Sequence, residues 1–206
     1  APSPIIKQMV NAGLKGRKSG RGFYSYASAG SSQVVPDAQT PSTEASEDAG
    51  LAKITKVGVV GSGTMATGII EVFAKAGYDV VYVARGQDKV DGVLASITKG
   101  QARMIERGRL TQEAADAVLA TLTGSTTRED LKDVDIVVEA IAEDLAIKQE
   151  LFRDLDRICK PGAILATTTS SLPIIQCANV TSRPGDVIGM HFFNPAQIMK
   201  LVEVVH

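Results

Sequence analysis

The stretch that decides the fold is residues 57–85, VGVVGSGTMATGIIEVFAKAGYDVVYVAR, which predicts a strand, a glycine turn, a helix and a second strand. Its opening apolar run is short and rich in β-branched residues, as in strands that are buried on both faces of a parallel sheet. Gly61 permits the tight turn, and Gly63 lets the backbone approach a pyrophosphate. The stretch therefore predicts an α/β protein with a doubly wound, mainly parallel sheet of the Rossmann type and a dinucleotide site.

The helix predicted over residues 64–76 starts directly at this turn. The free N–H groups of its first turn, which includes Thr64 and Met65, would stabilise the charge of a pyrophosphate together with the helix dipole. Ala66 occupies the third fingerprint position, where alanine is an accepted substitute for glycine. A glycine fingerprint alone is a weak signal, but one that lies between a strand and a helix, with a second strand following, is specific.

The end of the second strand bears on the choice of cofactor. Ala84 and Arg85 follow the strand predicted over residues 79–83, where an acidic residue would hydrogen bond the ribose of NAD. Alanine removes the carboxylate that would repel a 2'-phosphate, and arginine can hold that phosphate through paired, charge-assisted hydrogen bonds. This favours NADP over NAD. The alternative is that Arg85 is a solvated loop charge.

The composition is that of a globular domain without a strongly charged surface. With 206 residues, 44% of them hydrophobic, the chain is long enough for one full domain with a real core. Its 22 basic and 23 acidic residues give a net charge of -1, which indicates neither a nucleic-acid nor a membrane partner. Cys159 and Cys177 suit neither a disulfide framework nor a metal site, and no secretory signal is evident. We expect a cytoplasmic setting and two cysteines that serve as packing residues.

Three segments of the chain differ in pattern. Residues 1–26 hold a predicted short helix and then the string GLKGRKSGRGFYSY. Residues 27–52 are rich in Ser, Ala, Pro and acidic side chains and poor in apolar ones, which predicts a flexible linker. Residues 53–206 form the predicted nucleotide-binding domain. Its later strands are predicted over residues 135–141, 163–168, 187–192 and 201–205, and its later helices over residues 87–107 and 145–159.

Reactive groups of this fold gather beyond the carboxyl ends of the strands. That rule selects Glu143 and Lys148, near the cofactor crevice, the hydroxyls of TTTSS at residues 167–171, and His191. A dehydrogenase that acts on an alcohol needs a base to take the hydroxyl proton while hydride leaves, and histidine titrates near neutral pH. The residues alone leave His191 open between this base and a packed histidine. They leave Glu203 open between a partner that orients the imidazole and a surface carboxylate.

Four strings carry a resemblance to a known family. They are VGVVGSGTMATGII, VVEAIAEDLAIKQELF, TTSSLPI and GMHFFNPAQIMKLVEVV, which together cover nearly all of residues 56–205. The chain resembles the L-3-hydroxyacyl-CoA dehydrogenases, which include the bacterial 3-hydroxybutyryl-CoA dehydrogenases. The resemblance implies an oxidoreductase that moves a hydride between a nicotinamide cofactor and an acyl-CoA substrate, 3-hydroxyacyl-CoA or 3-oxoacyl-CoA.

The resemblance also implies roles for individual residues. His191 is the implied catalytic base, Glu203 its orienting partner, and Ser170 a hydrogen-bonding partner of the substrate oxygen. The cofactor contacts expected from the fingerprint or the resemblance are Gly61, Gly63, Thr64, Met65, Ala84, Arg85, Ala140, Glu143, Lys148 and Asn194. A looser alignment sets Lys99, Arg107 and Arg109 beside the CoA moiety.

The chain departs from the family pattern at three positions. Thr168 stands where relatives usually have the asparagine of NTSS, so a side-chain amide is lost. Ala84 replaces the usual acid after the second strand, and Ala66 replaces a usual glycine, both of which fit NADP. Two other functions stay open: a hydroxyacid dehydrogenase that does not use CoA, and a degenerate module of a tandem protein that only binds nucleotide or dimerises.

The order of the segments is also unusual. Residues 7–26 resemble the far C-terminal end of the family, which follows its helical second domain, and that helical domain is absent from this chain. We expect a slice through a tandem fusion of two dehydrogenases, with circular permutation as the alternative. The resemblance then implies two partners, the helical domain of the same parent protein and, in the complete protein, a second copy in a homo-oligomer.

Overall fold

The structure, a computed structural model, describes residues 3–37, 53–199 and 201–206. These residues fall into two compact units, with the division between residues 51 and 52. The first is called the N-terminal unit and the second the main unit. No helix in the described ranges is long and apolar enough to cross a membrane.

The N-terminal unit contains a helix and a small hairpin. Helix α1 (Pro4–Asn11) matches the predicted short helix, and strands β1 (Ser25–Tyr26) and β2 (Val34–Val35) pair antiparallel. Strand β2 lies inside residues 27–52, so the prediction of a flexible linker is wrong for its first part. The reason is local, because two adjacent β-branched valines pair with the backbone of β1 despite the polar composition around them. The rest of the predicted linker, residues 38–52, lies outside the described residues.

The main unit is built on one mixed sheet. Its strands are β3 (Lys56–Val60), β4 (Asp79–Val83), β5 (Leu122–Ser125), β6 (Ile136–Glu139), β7 (Ile164–Thr167), β8 (Val187–Phe192) and β9 (Val202–Val205). Their order across the sheet is β5-β4-β3-β6-β7-β8-β9, and every pair is parallel except β8 with β9. The strand order reverses at β3, which is the switch point where this fold binds ligands. The predicted Rossmann-type fold is confirmed.

Helices cover both faces of this sheet. They are α2 (Thr64–Lys75), α3 (Gln87–Glu106), α4 (Gln112–Ala120), α5 (Leu145–Ile158) and α6 (Ile174–Ala178). Alternate strand residues point to opposite faces of the sheet and belong to two hydrophobic cores. Val59 lies in the core formed with α2 and α3, and Val60 lies in the core formed with α5 and α6. This alternation follows from the two-residue repeat of a strand and explains why the strands read as continuous apolar runs.

The carboxyl ends of the parallel strands meet at one edge of the sheet. The β3–β6 pairing aligns Val60 with Glu139, and the β6–β7 pairing aligns Glu139 with Thr167. Strand β9 returns antiparallel along β8 and sets Glu203 opposite His191. The loops that follow β3, β4, β6, β7 and β8 therefore open towards the same edge, called the carboxyl edge below.

Candidate functional site

A cavity of about 860 Å³ lies at the carboxyl edge, over the switch point of the sheet. Seven of the residues predicted to contact the cofactor line it, namely Gly61, Gly63, Thr64, Met65, Ala84, Arg85 and Ala140. Ile141, Ile147 and Leu151 add apolar surface from the β6 end and from α5. Its size and mixed lining suit a dinucleotide, since such sites combine apolar walls with a few placed polar groups.

The two glycines of the turn are required for different reasons. Gly61 has φ of 138°, and an added Cβ would lie 2.4 Å from the Ala140 carbonyl oxygen and 3.1 Å from the Ala66 Cβ. The fold itself therefore demands glycine at this position. An added Cβ at Gly63 would meet no described atom within 4 Å, because it would point into open space. The fold itself therefore does not require glycine at Gly63, and a requirement there stays a prediction that depends on a ligand close to the backbone.

Helix α2 begins at this turn without a side-chain cap. The residue before its first turn is Gly63, which has no side chain with which to satisfy the first N–H groups, and its carbonyl accepts a hydrogen bond from the Thr67 N–H at 2.9 Å. The uncapped N–H groups and the positive end of the helix dipole face the cavity at Thr64 and Met65. This end of α2 could hold a pyrophosphate.

The cavity continues past the ends of β4 and β5. Ala84 is buried at 5% exposure, whereas Arg85 is exposed at the cavity wall. Thr126 and Arg128, after β5, line the same cavity, and the Arg128 guanidinium forms an ion pair with Asp154 on α5. Sequence reasoning did not find Thr126 or Arg128. Their position just after a strand was the feature of the sequence that could have identified them as cavity residues.

A buried ionic cluster lies beneath the β6 and β7 ends. The Lys148 ammonium donates to Glu139 at 2.6 Å and lies 3.4 Å from Glu143, and the Glu139 and Lys148 side chains are 0% and 1% exposed. Glu139 also accepts hydrogen bonds from the Thr167 hydroxyl at 2.7 Å and the Ile141 N–H at 2.8 Å. The resemblance implies a cofactor contact for Lys148, but the structure places its charge under the site. Glu139, which sequence reasoning missed, is its closest partner.

Glu143 connects this cluster to the loop after β7. Its carboxylate accepts hydrogen bonds from the Thr169 hydroxyl, the Ser170 N–H at 3.2 Å and the Ser171 hydroxyl at 3.4 Å. Burial raises the pKa of Glu143, but the Thr169 hydrogen bond and the Lys148 charge outweigh it and hold the pKa below its usual value. The loop that carries Ser170 is therefore tied to an ionised carboxylate at neutral pH.

His191 and Glu203 form a pair across β8 and β9. The His191 Nδ1 lies 2.8 Å from Glu203 Oε2, and the two side chains are 29% and 55% exposed. The Phe193 ring lies against the imidazole, with 4.9 Å between ring centroids. Because β7 and β8 pair Thr167 with Gly189, Ser170 in the loop after β7 and His191 near the end of β8 lie at the same edge. The structure thus brings together the two residues of the predicted histidine–carboxylate pair.

Other predicted site residues lie outside the cavity lining. Asn194 is exposed directly after β8, on the same edge as His191. Lys99 is exposed on α3, and Arg107 and Arg109 are exposed after its end. The structure does not bring these three cations to the cavity, so their contact with CoA stays a prediction.

The two cysteines are packing residues in the α5 and α6 core. Both are buried free thiols, and burial raises the pKa of Cys159 to about 11 and that of Cys177 in the same direction. Within the described ranges, no cluster of three His, Cys, Asp or Glu side chains has the geometry of a metal site.

Comparisons with known proteins identify the family of this chain. A family model described as the NAD binding domain of 3-hydroxyacyl-CoA dehydrogenase matches residues 56–206. A 3-hydroxybutyryl-CoA dehydrogenase of Clostridioides difficile is 45% identical over 150 residues, which are 73% of this chain and 53% of that protein. A peroxisomal bifunctional enzyme of Danio rerio is 40% identical over 153 residues, which are 74% of this chain and 21% of that protein.

Solved structures give the same result. The (S)-3-hydroxybutyryl-CoA dehydrogenase of Ralstonia eutropha superposes with a TM-score of 0.72 at 40% identity, over 74% of this chain and 54% of that one. The 3-hydroxybutyryl-CoA dehydrogenase of Escherichia coli gives a TM-score of 0.73 at 38% identity, over 74% and 32% of the two chains. The chain thus spans about half the length of the curated relatives it matches, as its 53% share of the Clostridioides difficile protein shows.

Proposed function

Because this chain belongs to the 3-hydroxyacyl-CoA dehydrogenase family and carries its NAD binding domain, we propose that it serves hydride transfer between a nicotinamide cofactor and a 3-hydroxyacyl-CoA or 3-oxoacyl-CoA. The observation that carries the proposal is the pair of His191 Nδ1 and Glu203 Oε2, 2.8 Å apart, at the same edge as the glycine turn. A dehydrogenase needs a proton carrier beside its cofactor, and this pair supplies one.

The chemistry follows from the tautomer that this pair selects. When Nδ1 donates its proton to Glu203, Nε2 carries the lone pair that can take a proton from a substrate hydroxyl. The carboxylate holds the ring in place and stabilises the imidazolium that forms. In the reducing direction, protonated His191 gives the proton back to the carbonyl oxygen. When bound, a nicotinamide cofactor would supply the acceptor or donor of the hydride.

Ser170 is the proposed hydrogen-bonding partner of the substrate oxygen. Its hydroxyl sits on the loop after β7, and its backbone N–H is fixed by Glu143 at 3.2 Å. A fixed donor near the reacting oxygen stabilises the charge that develops there. Thr168, in place of the family's asparagine, leaves this role to hydroxyl groups.

The preferred cofactor in this proposal is NADP. Support comes from buried Ala84, which leaves no carboxylate at the ribose position after β4, and from Arg85, which lines the cavity beside it. The family model describes an NAD binding domain and does not distinguish NADP from NAD. The preference between the two cofactors is therefore tested by a binding measurement. We expect the fluorescence of NADPH to change on binding at a lower chain concentration than that of NADH. Tighter binding of NADH would overturn the preference.

The rest of the proposed function concerns the full-length parent protein. We propose an acyl-CoA substrate bound with the help of a helical domain of the parent protein, a homo-oligomeric assembly, and a cytoplasmic location, which two free thiols favour. The test is reduction of 3-oxobutyryl-CoA by the full-length parent protein, followed as the loss of NADPH absorbance. Absence of turnover in a protein that still binds NADPH would favour a degenerate nucleotide-binding module.

A further inference from the structure

We propose that Arg128 is a second specificity-determining residue, which brackets the 2'-phosphate of NADP together with Arg85. The inference rests on the proposed NADP-linked function and deepens it. It assigns the discrimination between NADPH and NADH to two strand ends rather than to the single loop after β4.

The sheet places the two arginines after the ends of neighbouring strands. Strands β4 and β5 run parallel and pair Val83 with Ser125, and neighbouring strands lie about 4.8 Å apart. Arg85 follows the β4 end and Arg128 follows the β5 end, so both side chains start from the same short section of the carboxyl edge. Both residues line the same cavity.

The charge of the cavity lining fits a dianionic group. The lining contains two arginines and, among the described residues, no aspartate or glutamate. The carboxylates nearest in sequence are engaged elsewhere: Asp88 lies 3.6 Å from the Lys89 ammonium, Glu129 lies 3.5 Å from Arg157, and Asp130 accepts a hydrogen bond from the Ser125 hydroxyl. A 2'-phosphate there meets positive charge without a competing carboxylate on the wall.

Arg128 is held in place before any ligand arrives. One terminal nitrogen of its guanidinium pairs with Asp154 on α5, and its side chain is 37% exposed. A guanidinium offers five N–H donors, so one carboxylate leaves donors for a phosphate. A cation that is already oriented loses less side-chain entropy on binding. Asp154 is therefore a positioning residue for Arg128.

The experiment measures binding by the 206-residue chain, without any need for turnover. NADPH and NADH, and the fragments 2',5'-ADP and 5'-AMP, are titrated against the wild type and against Arg128→Gln, Arg128→Lys and Arg157→Gln. Arg157 is the matched control, because it also contacts Asp154, at 3.9 Å, but does not line the cavity. Thermal unfolding of each variant shows whether it is folded. If Arg128→Gln does not fold, the affinities of Arg128→Lys provide the test.

We expect Arg128→Gln to weaken NADPH and 2',5'-ADP by roughly tenfold, the size of one charge-assisted hydrogen bond in a partly exposed site. NADH and 5'-AMP should change by less than about twofold, because they lack the 2'-phosphate. Arg128→Lys should lose part of the NADPH affinity, since lysine keeps the charge but not the planar fork. Arg157→Gln should leave all four affinities unchanged.

Each other outcome overturns the proposal. Equal losses for NADPH and NADH would mean that Arg128 contacts the adenine or supports the wall of the cavity. Unchanged NADPH affinity would remove Arg128 from the site while leaving a wild-type preference for NADPH intact. A wild type that binds NADH more tightly would overturn the NADP-linked function, and the inference with it.

Discussion

The two halves of the carboxyl edge are built in different ways. The cofactor half, where β3, β4 and β5 end, presents backbone N–H groups, open space at Gly63 and two arginines on the wall of the cavity. The reaction half, where β6, β7 and β8 end and β9 begins, consists of side chains already paired with each other, such as Lys148 with Glu139 and His191 with Glu203. One half is complementary to the charge of a ligand, and the other has its charged side chains paired with each other.

This difference indicates which interactions fix the side chains of each half. A buried ion pair loses solvation that only good geometry and further hydrogen bonds can offset, and Glu139 has three hydrogen-bonding partners. The reaction half is therefore fixed as part of the fold. In the cofactor half, Arg128 is paired with Asp154, whereas Arg85 lies on a cavity wall whose described residues include no carboxylate, so the Arg85 charge is available to a bound anion. Mutations of the buried pairs in the reaction half should then lower stability, and mutations in the cofactor half should lower cofactor affinity.

The largest expected effect is on turnover. Exchanging His191 for Gln in the full-length parent protein should lower kcat by roughly a thousandfold, because no other group at this position can carry the proton. The ion pair of His191 with Glu203 is partly exposed and adds little to stability, so the unfolding temperature should stay close to that of the wild type. NADPH affinity should also stay close to the wild-type value. Steady-state kinetics and a binding titration test this. Turnover retained in the variant would remove His191 from the proposed mechanism.

The second effect is on stability. Glu139→Gln should lower the free energy of unfolding by about 3 kcal/mol, because it leaves the buried Lys148 ammonium without its closest counter-charge. Urea unfolding followed by circular dichroism measures the loss. Glu150→Gln, which changes an exposed acid on α5, the helix that carries Lys148, is the control and should be neutral. Equal stability of the two variants would break the contrast between the halves.

The third test separates the two glycines of the cofactor half. Gly61→Ala should destabilise the fold by about 2 kcal/mol, because alanine is strained at φ of 138° and its methyl group meets the Ala140 carbonyl. Gly63→Ala should leave the free energy of unfolding within about 0.5 kcal/mol of the wild type, yet weaken both NADPH and NADH. Thermal unfolding and cofactor titration of both variants decide it. Loss of stability in Gly63→Ala would contradict the assignment of that glycine to the ligand.

The smallest expected effect depends on pH. The pKa of Glu143 is lower in the fold than in the unfolded chain, so its contribution is present above the unfolded pKa and is lost as pH falls through the folded one. Because the Glu143 side chain is 42% exposed, we expect less than about 1 kcal/mol. Amide hydrogen exchange at Ser170, compared between wild type and Glu143→Gln, shows the change. A pH profile that is the same in both proteins would mean that Glu143 does not anchor this loop.

Much of the fold was predictable because it depends on local patterns. The β-branched run before Gly61, the turn itself and the helix after it are specified by neighbouring residues, and the structure has them within about one residue of the predicted bounds. The linker prediction failed at Val34 and Val35, where a two-residue strand depends on a partner in β1 rather than on composition.

The parts of the site that were missed depend on contacts distant in sequence. Glu139 reads as the polar end of a buried strand, and only its contact with Thr167, 28 residues away, shows what the carboxylate does. Arg128 reads as a surface charge until the β4–β5 register sets it beside Arg85. The residues alone left His191 and Glu203 open between this pair and ordinary packed or surface side chains, and the resemblance to a family favoured the pair.

The antiparallel return of β9 makes strand alignment a component of proton transfer. Side chains alternate between the two faces of a strand, so a slip of one residue would turn Glu203 away from His191 and present a valine instead. The pairing register of β8 and β9 is therefore as important as the identity of the two residues. A one-residue shift of that register would keep every side chain of the mechanism in the sequence and still leave the imidazole without its carboxylate.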